Sequence, residues 1–192
     1  MANGGLIYSF YAVILMSMID QALLETLDFK AKNLAKRWKN LIRKEPHLKH
    51  YNSFTDEQLY EINMPLYHQL ARAIERGIDR KAVGGYFVGM GKNGMKQGIP
   101  ISEVVYACSL SQKTVVDYIT YEFLNANPLT TYQIFDTIDK VNEFFFLGCF
   151  YMIKGFLEQT YKHLNSQHNI SEELLKTCFK DDFFFKTDIE DD

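Results

Sequence analysis

The stretch 97–119, QGIPISEVVYACSLSQKTVVDYI, decides the fold class because a helix stop, a helix start and an amphipathic helix follow one another directly. Gly98 can adopt the left-handed conformation that ends a helix. Pro100 suits the first turn of the next helix. A backbone N–H there would have no acceptor within the helix, so proline loses no hydrogen bond by lacking one. Glu103 adds a negative charge near the positive end of that helix. Apolar residues then recur at helical spacing, so the stretch predicts a helical fold.

The same periodicity extends over most of the chain. It predicts seven helices, at 5–18, 20–45, 56–76, 79–96, 100–125, 131–165 and 171–180. Thr55 with Gln58, and Thr130 with Gln133, are capping-box patterns that start two of them, and Pro65 is expected to kink or restart the helix at 56–76. No alternating β pattern and no repeat of 20–50 residues is present. We therefore predict an all-α, single-domain bundle of about six to seven helices, with globin-like or up-down packing.

The two ends of the chain differ in composition from its centre. Residues 6–19 read LIYSFYAVILMSMI without a charge, which is shorter than the roughly 20 residues of a membrane span and lacks a signal peptide's basic region. We predict that the helix at 1–19 is buried in the core or against a second copy, with membrane contact through 6–19 as the alternative. Residues 20–166 form the main helical domain, and 167–192 form a short helix and an acidic tail.

Composition excludes several classes of function. A formal net charge of −3 and a pI near 6.0 do not indicate a basic surface that would bind nucleic acid. The basic run at 30–49 is interpreted as a solvated helix face. The three cysteines, Cys108, Cys149 and Cys178, are widely spaced. They indicate buried thiols in a reducing compartment, and therefore a cytoplasmic protein, with membrane association as the alternative.

Glycines are concentrated at 84–98, and residues 89–94 match GxGxxG letter for letter. The dinucleotide motif needs a preceding strand, and none is predicted here. The glycines predict either close helix–helix contacts or a loosely held helix, because each helical glycine costs about 0.5–1 kcal/mol relative to alanine. We interpret this segment as one that a ligand or partner could order, with Gly94, Gly98 and Pro100 as its hinge.

No set of residues predicts catalysis or a metal site. There is no GxSxG and no HExxH motif, and the histidines form pairs at best. Glu143 is interpreted as the partner of Lys140, three residues before it, rather than as a general acid or base. We predict a protein without enzymatic activity and without a required cofactor. Haem bound through His68 is the alternative.

Several of these features together resemble the N-terminal sensor domains of RsbR-type co-antagonist proteins of the stressosome, the RsbRD N-terminal domain family. The similarity runs from about 19 to 164. It includes the Trp38 helix, the helix start from Thr55 to Gln58, the Gly-Ile-Pro-Ile-Ser-Glu junction, and Tyr161 near the end of the long last helix. Domains of this family are helical, usually dimeric, and precede output modules such as STAS domains or kinases. This chain departs from the pattern in its apolar first 19 residues, its acidic tail and the lack of an output module.

The resemblance implies a non-catalytic regulatory sensor that forms a homodimer and acts on a signalling partner protein. A small apolar ligand is expected between the helices at 100–125 and 131–165, with Gln112, Phe145, Cys149 and His68 as pocket residues. Gln112 interrupts an apolar stripe, either hydrogen-bonded at its edge or facing the pocket. The alternatives are a membrane-associated or purely structural homodimeric interaction protein, and a haem-binding helical sensor.

Overall fold

The computed structural model describes residues 31–123 and 128–166, together with positions 22, 24, 25, 27, 29, 171 and 173. These residues form six helices and no strand: α1 (Ala31–Ile42), α2 (Lys49–Ser53), α3 (Asp56–Arg76), α4 (Arg80–Lys96), α5 (Ile101–Phe123) and α6 (Pro128–Asn165). The prediction of an all-α, single-domain bundle is confirmed. The predicted helix at 5–18 lies outside the described residues, and so does nearly all of 171–180.

Two predicted boundaries are wrong for local reasons. The helix expected to reach residue 45 ends at Ile42, and the short helix α2 follows it; five residues are too few to show a helical period. The last long helix begins at Pro128 and not after Thr130, because proline is well suited to the first helical position. The helix predicted at 56–76 is confirmed as α3, which continues through Pro65 without a restart.

Other predicted helix ends are confirmed in atomic detail. The Thr55 Oγ1 accepts the Gln58 backbone N–H at 3.2 Å while the Gln58 Oε1 accepts the Thr55 N–H at 2.8 Å, which completes the capping box. Gly98 has a φ of 71°, so it takes the left-handed conformation expected before α5. The Pro100 carbonyl accepts the backbone N–H groups of Glu103 and Val104 at 2.9 and 3.1 Å, which starts that helix.

The helices form two groups that share α5. The 38-residue helix α6 packs along α4 and α5, whereas α1 packs along α3 and α5. The fully buried side chains belong to both groups. The largest are Trp38, Tyr67, Phe87, Phe144, Phe145, Leu27, Leu34, Ile42, Leu48, Leu59 and Leu70. One continuous core therefore joins the two groups.

The contact between α4 and α6 depends on glycines. A Cβ placed on Gly91 would lie 2.8 Å from the Phe156 backbone nitrogen, and one on Gly155 would lie 2.7 Å from the Val88 Cα. A Cβ on Gly148, on the same helix as Gly155, would overlap the Phe87 ring. The two backbones thus touch directly, and the predicted close helix–helix contact is confirmed at Gly91.

Within the described ranges, none of the helices combines the length and apolarity that crossing a bilayer requires.

Candidate functional site

An apolar groove lies between α3 and α4, and we name it the α3–α4 groove. Its volume is about 460 Å³, within the range of small-molecule sites. The residues that line it come from four helices and the turn before α5: Tyr51, Ile62, Pro65, Gly85, Tyr86, Gly89, Met90, Asn93, Gly94, Gln97, Ile99 and Val104. The groove opens to solvent beside Gly85, Asn93 and Gln97, which are exposed.

Gly85 and Gly89 make the space. They lie one helical turn apart on α4, and a Cβ on either would meet no other atom within 4 Å. Gly91 and Gly94 belong to the same helix but are buried, and a Cβ on Gly94 would lie 2.9 Å from the Val104 Cγ2. Glycine therefore serves two purposes on α4: it permits contact at 91 and 94, and it leaves a hollow at 85 and 89.

The polar groups of the groove are uncharged. No lining residue carries a formal charge, and the hydrogen-bonding side chains are Tyr51, Tyr86, Asn93 and Gln97. Burial raises the pKa of both tyrosines well above the ordinary value, so their hydroxyls remain protonated at physiological pH. The groove thus offers apolar contact and a few neutral donors and acceptors.

Tyr51 is held in place from two sides. Its ring makes edge contacts with Trp38, at 6.2 Å between centroids, and with Phe54, at 5.8 Å. The next residue back, His50, donates its backbone N–H to the Glu103 Oε2 at 2.9 Å, and its Nδ1 lies 2.8 Å from the Glu103 Oε1. Glu103 thereby fixes α2 against the start of α5, and with it the end wall of the groove.

Three of the four predicted pocket residues lie where α5 meets α6, away from the groove. Gln112 donates from its Nε2 to the Asn142 Oδ1 at 2.8 Å, so the hydrogen-bonded interpretation of Gln112 holds. Phe145 is fully buried, three residues beyond Asn142. Cys149 is half-buried, and the neighbouring Cys108 side chain lowers its pKa. None of them lines the groove, and a ligand role for them stays a prediction.

The fourth, His68, lies on α3 in a separate hollow. That hollow has a volume of about 400 Å³ and is lined by Leu24, His68, Ala71, Arg72, Glu75 and Arg76. It carries charged side chains, unlike the groove. Haem binding through His68 remains a prediction, which a Soret band would test.

The predicted hinge residues gather at the junction of α4 and α5. The Gly94 carbonyl accepts the Ile99 backbone N–H at 3.0 Å, Gly98 has positive φ, and Pro100 starts α5. Ile99, together with Gly94, also lines the groove. The junction is therefore part of the groove wall, and its movement as a hinge stays a prediction.

Besides the glycines, an ion cluster around the buried Glu158 stabilises the contact between α4 and α6. The Lys92 Nζ lies 3.0 Å from the Glu158 Oε2, and Lys162 donates to the other carboxylate oxygen. Burial acts to raise the pKa of Glu158, but the hydrogen bonds from Lys162 and Lys92 outweigh it and leave the pKa below its usual range. Glu158 is therefore ionised at neutral pH and joins the two helices electrostatically.

Sequence reasoning missed the residues that form the groove. The sequence predicts a glycine-rich segment that includes Gly85 and Gly89, but no local pattern points to Tyr51 and Tyr86. The available signal was the four-residue spacing of the two glycines, which places them on one face of a helix.

No group of three or more metal-ligating side chains is found among the residues that the structure describes. Comparison of the chain with protein-family models, with curated proteins and with solved structures finds no match. The resemblance to the stressosome sensor domains therefore stays an expectation.

Proposed function

We propose that this protein is a non-catalytic regulatory sensor module that binds a small, uncharged and largely apolar molecule in the α3–α4 groove. Binding would favour one packing of α3 against α4, and a partner protein would respond to that packing. A ligand shifts the equilibrium between two packing arrangements only if it binds one of them more tightly than the other. The groove lies between the two helix groups, so its width depends on how the groups are placed relative to each other. The affinity for a ligand can therefore differ between the two arrangements.

The observation that carries this proposal is the contrast among the glycines of α4. Gly91 is needed for packing, since its Cβ would overlap the α6 backbone, but Gly85 and Gly89 have open space in front of them. Helical glycine without a packing reason costs stability. A pair of such glycines facing a hollow of about 460 Å³ is consistent with a surface kept clear for a ligand.

The lining favours one class of ligand. It has aliphatic and aromatic walls and no charged side chain, so a charged molecule would lose solvation without gaining a counter-charge. Asn93 and Gln97 are exposed at the open side and could hydrogen-bond a hydroxyl or carbonyl group of the ligand. We therefore expect a neutral molecule with an apolar body and one or two polar atoms.

Replacing Gly89 by leucine should close the groove without harming the fold. The new side chain meets no atom at its Cβ, and leucine is a better helix former than glycine by about 0.8 kcal/mol. Titration with the neutral apolar dye Nile red is the measurement. The dissociation constant of Gly89→Leu should rise at least about tenfold, since loss of groove volume should cost at least about 1.4 kcal/mol.

The matched control is Lys96→Leu, which adds the same side chain to an exposed position of α4 that does not line the groove. It should bind the dye as the wild type does. Equal dye affinity in Gly89→Leu and wild type would show that the groove is not the binding site, and the proposed sensor would then lose its basis.

A second candidate, a homodimeric interaction protein, is favoured by a row of aromatic side chains on α6. Tyr132, Phe135, Phe146 and Phe150 are 72%, 61%, 67% and 46% exposed. At 3.6 residues per turn they fall within about 60° of the helix circumference. Asp139 is exposed on the same face and separates Tyr132 and Phe135 from Phe146 and Phe150. Exposed aromatic side chains of this kind are typical of a protein interface, and a second copy presents the same side chains to them.

Phe146→Glu should weaken self-association at least about tenfold, because the substitution would bury a charge among the aromatic side chains of the interface. Sedimentation velocity over a concentration series measures the dimer constant. Tyr121→Glu is the control, since Tyr121 is 77% exposed but lies on α5. A wild-type protein that stays monomeric throughout the series, or an unchanged dimer constant in Phe146→Glu, would exclude the α6 interface.

A further inference from the structure

Four polar side chains are buried where α3 faces α5, and we name them the α3–α5 polar cluster. Asn63 and Tyr67 belong to α3, whereas Ser111 and Thr114 belong to α5. Each of the four is at most 3% exposed. The Asn63 Nδ2 donates to the Ser111 Oγ at 2.8 Å, so a hydrogen bond within the core joins the two helices.

Helical spacing brings the other two side chains to the same place. Tyr67 follows Asn63 by four residues and Thr114 follows Ser111 by three, so each pair lies on one face of its helix. A long side chain on a helix points back toward the preceding turn, which directs the Tyr67 ring toward Asn63. Burial raises the pKa of Tyr67, and Thr114, Asn63 and Ser111 act against that rise, as expected of polar groups beside its hydroxyl.

Two atoms of the cluster lack a hydrogen-bond partner. Neither the Asn63 Oδ1 nor the Tyr67 hydroxyl is hydrogen-bonded to any residue that the structure describes. Reversing the Asn63 amide would only exchange which of its two polar atoms is left over. Buried polar groups are nearly always paired, either with protein or with ordered water. The cluster therefore needs a partner that the surrounding side chains do not supply.

The hydroxyl groups of α5 cannot supply it. The Ser111 hydroxyl donates to the Ala107 carbonyl at 3.3 Å, and the Thr114 hydroxyl donates to the Leu110 carbonyl at 2.8 Å. Both hydrogens are thus committed to the helix backbone, although the Thr114 Oγ1 can still accept a hydrogen bond. The cluster is left with one donor, the Tyr67 hydroxyl, and with two acceptors, the Asn63 Oδ1 and the Thr114 Oγ1.

We propose that the α3–α5 polar cluster is a binding site for one internal water molecule. The water accepts a hydrogen bond from the Tyr67 hydroxyl and donates to the Asn63 Oδ1 and the Thr114 Oγ1. Three hydrogen bonds are the usual number for a buried water. The cluster carries no formal charge, so a neutral ligand fits it better than an ion.

The packing of the two helices is consistent with such a site. The backbones of α3 and α5 approach each other closely at few positions, so polar side chains span the space between them. None of the four residues lines the α3–α4 groove, and the inference is therefore independent of the proposed ligand. The water would join α3 to α5 beside the direct bond from Asn63 to Ser111.

Magnetic relaxation dispersion of the ¹⁷O nucleus tests the proposal, because it counts water molecules that stay inside a protein for longer than the protein takes to tumble. The double variant Tyr67→Phe with Thr114→Val removes two of the three partners without adding bulk. It should hold one long-lived water fewer than the wild type. Tyr121→Phe is the control, since this hydroxyl is 77% exposed, and it should keep the wild-type number. The same number in the double variant and the wild type would overturn the proposal.

The stability of the single variant Tyr67→Phe provides a second test through its sign. If the hydroxyl is bonded to the water, phenylalanine loses that bond, and the folding equilibrium constant from urea denaturation should fall about fivefold. If the hydroxyl is unpaired, phenylalanine removes a buried polar group without a partner, and the constant should rise. A Tyr67→Phe variant as stable as the wild type, or more stable, would refute the bound water.

Discussion

Gly91→Ala is expected to destabilise the protein by about 3 kcal/mol, at the upper end of the range for overpacked sites. The added Cβ would lie 2.8 Å from the Phe156 nitrogen and 2.9 Å from the Met152 carbonyl carbon, and closer still to the Met152 oxygen. These are backbone atoms of a packed helix, so no side-chain rotation relieves the overlap. Urea denaturation followed by circular dichroism gives the free energy of unfolding.

Gly89→Ala is the matched control for this substitution, because it makes the same chemical change two residues away on the same helix. Its Cβ meets nothing within 4 Å, so the variant should be stabilised by about 0.5–1 kcal/mol through helix propensity alone. The two substitutions should therefore change stability in opposite directions. Equal effects would contradict the close α4–α6 contact.

Trp38→Ala is expected to cost about 3–5 kcal/mol, the usual range for removing a large buried aromatic side chain. Trp38 is 1% exposed. It donates from its Nε1 to the Ala107 carbonyl at 2.8 Å, and its ring meets Tyr51 edge-on. Without the Trp38 ring, Tyr51 would lose one of its two aromatic contacts. The folded fraction of the Trp38→Ala variant should therefore bind Nile red more weakly than the wild type.

Trp38→Phe separates packing from hydrogen bonding. Phenylalanine keeps an aromatic ring beside Tyr51 but cannot donate to Ala107, so we expect a loss of about 1–2 kcal/mol. Ser111 also donates to the Ala107 carbonyl, at 3.3 Å, which limits the cost. Circular dichroism is the required readout because the chain has one tryptophan. A Trp38→Ala variant as stable as Trp38→Phe would contradict a packed role for the ring.

The start of α5 could be predicted from sequence because its determinants are local. The left-handed conformation of Gly98, the position of Pro100 and the capping box at Thr55 each involve a few consecutive residues. Helix α2 was missed because five residues show no periodicity. The class of fold follows from such local signals together with the apolar stripes, and the structure bears it out.

The groove could not be predicted, because it depends on which helix faces which. Gly89 and Gly91 look alike in the sequence, yet one faces open space and the other faces the α6 backbone. Gln112 presented the same ambiguity: its hydrogen bond to Asn142 depends on how α5 and α6 are aligned. Such distinctions arise from tertiary packing, which a single sequence does not encode in any local pattern.

The helix α6 is long enough that a small tilt at one point displaces its distant end. At 1.5 Å per residue its 38 residues extend about 57 Å, and the glycine contact with α4 lies toward its C-terminal half, at 148 and 155. The first residue of α6 is 20 to 27 residues from this contact, so a tilt of about 5° at the contact would move it by about 3 Å. Small changes in packing around α4 would then become displacements large enough for another protein to recognise.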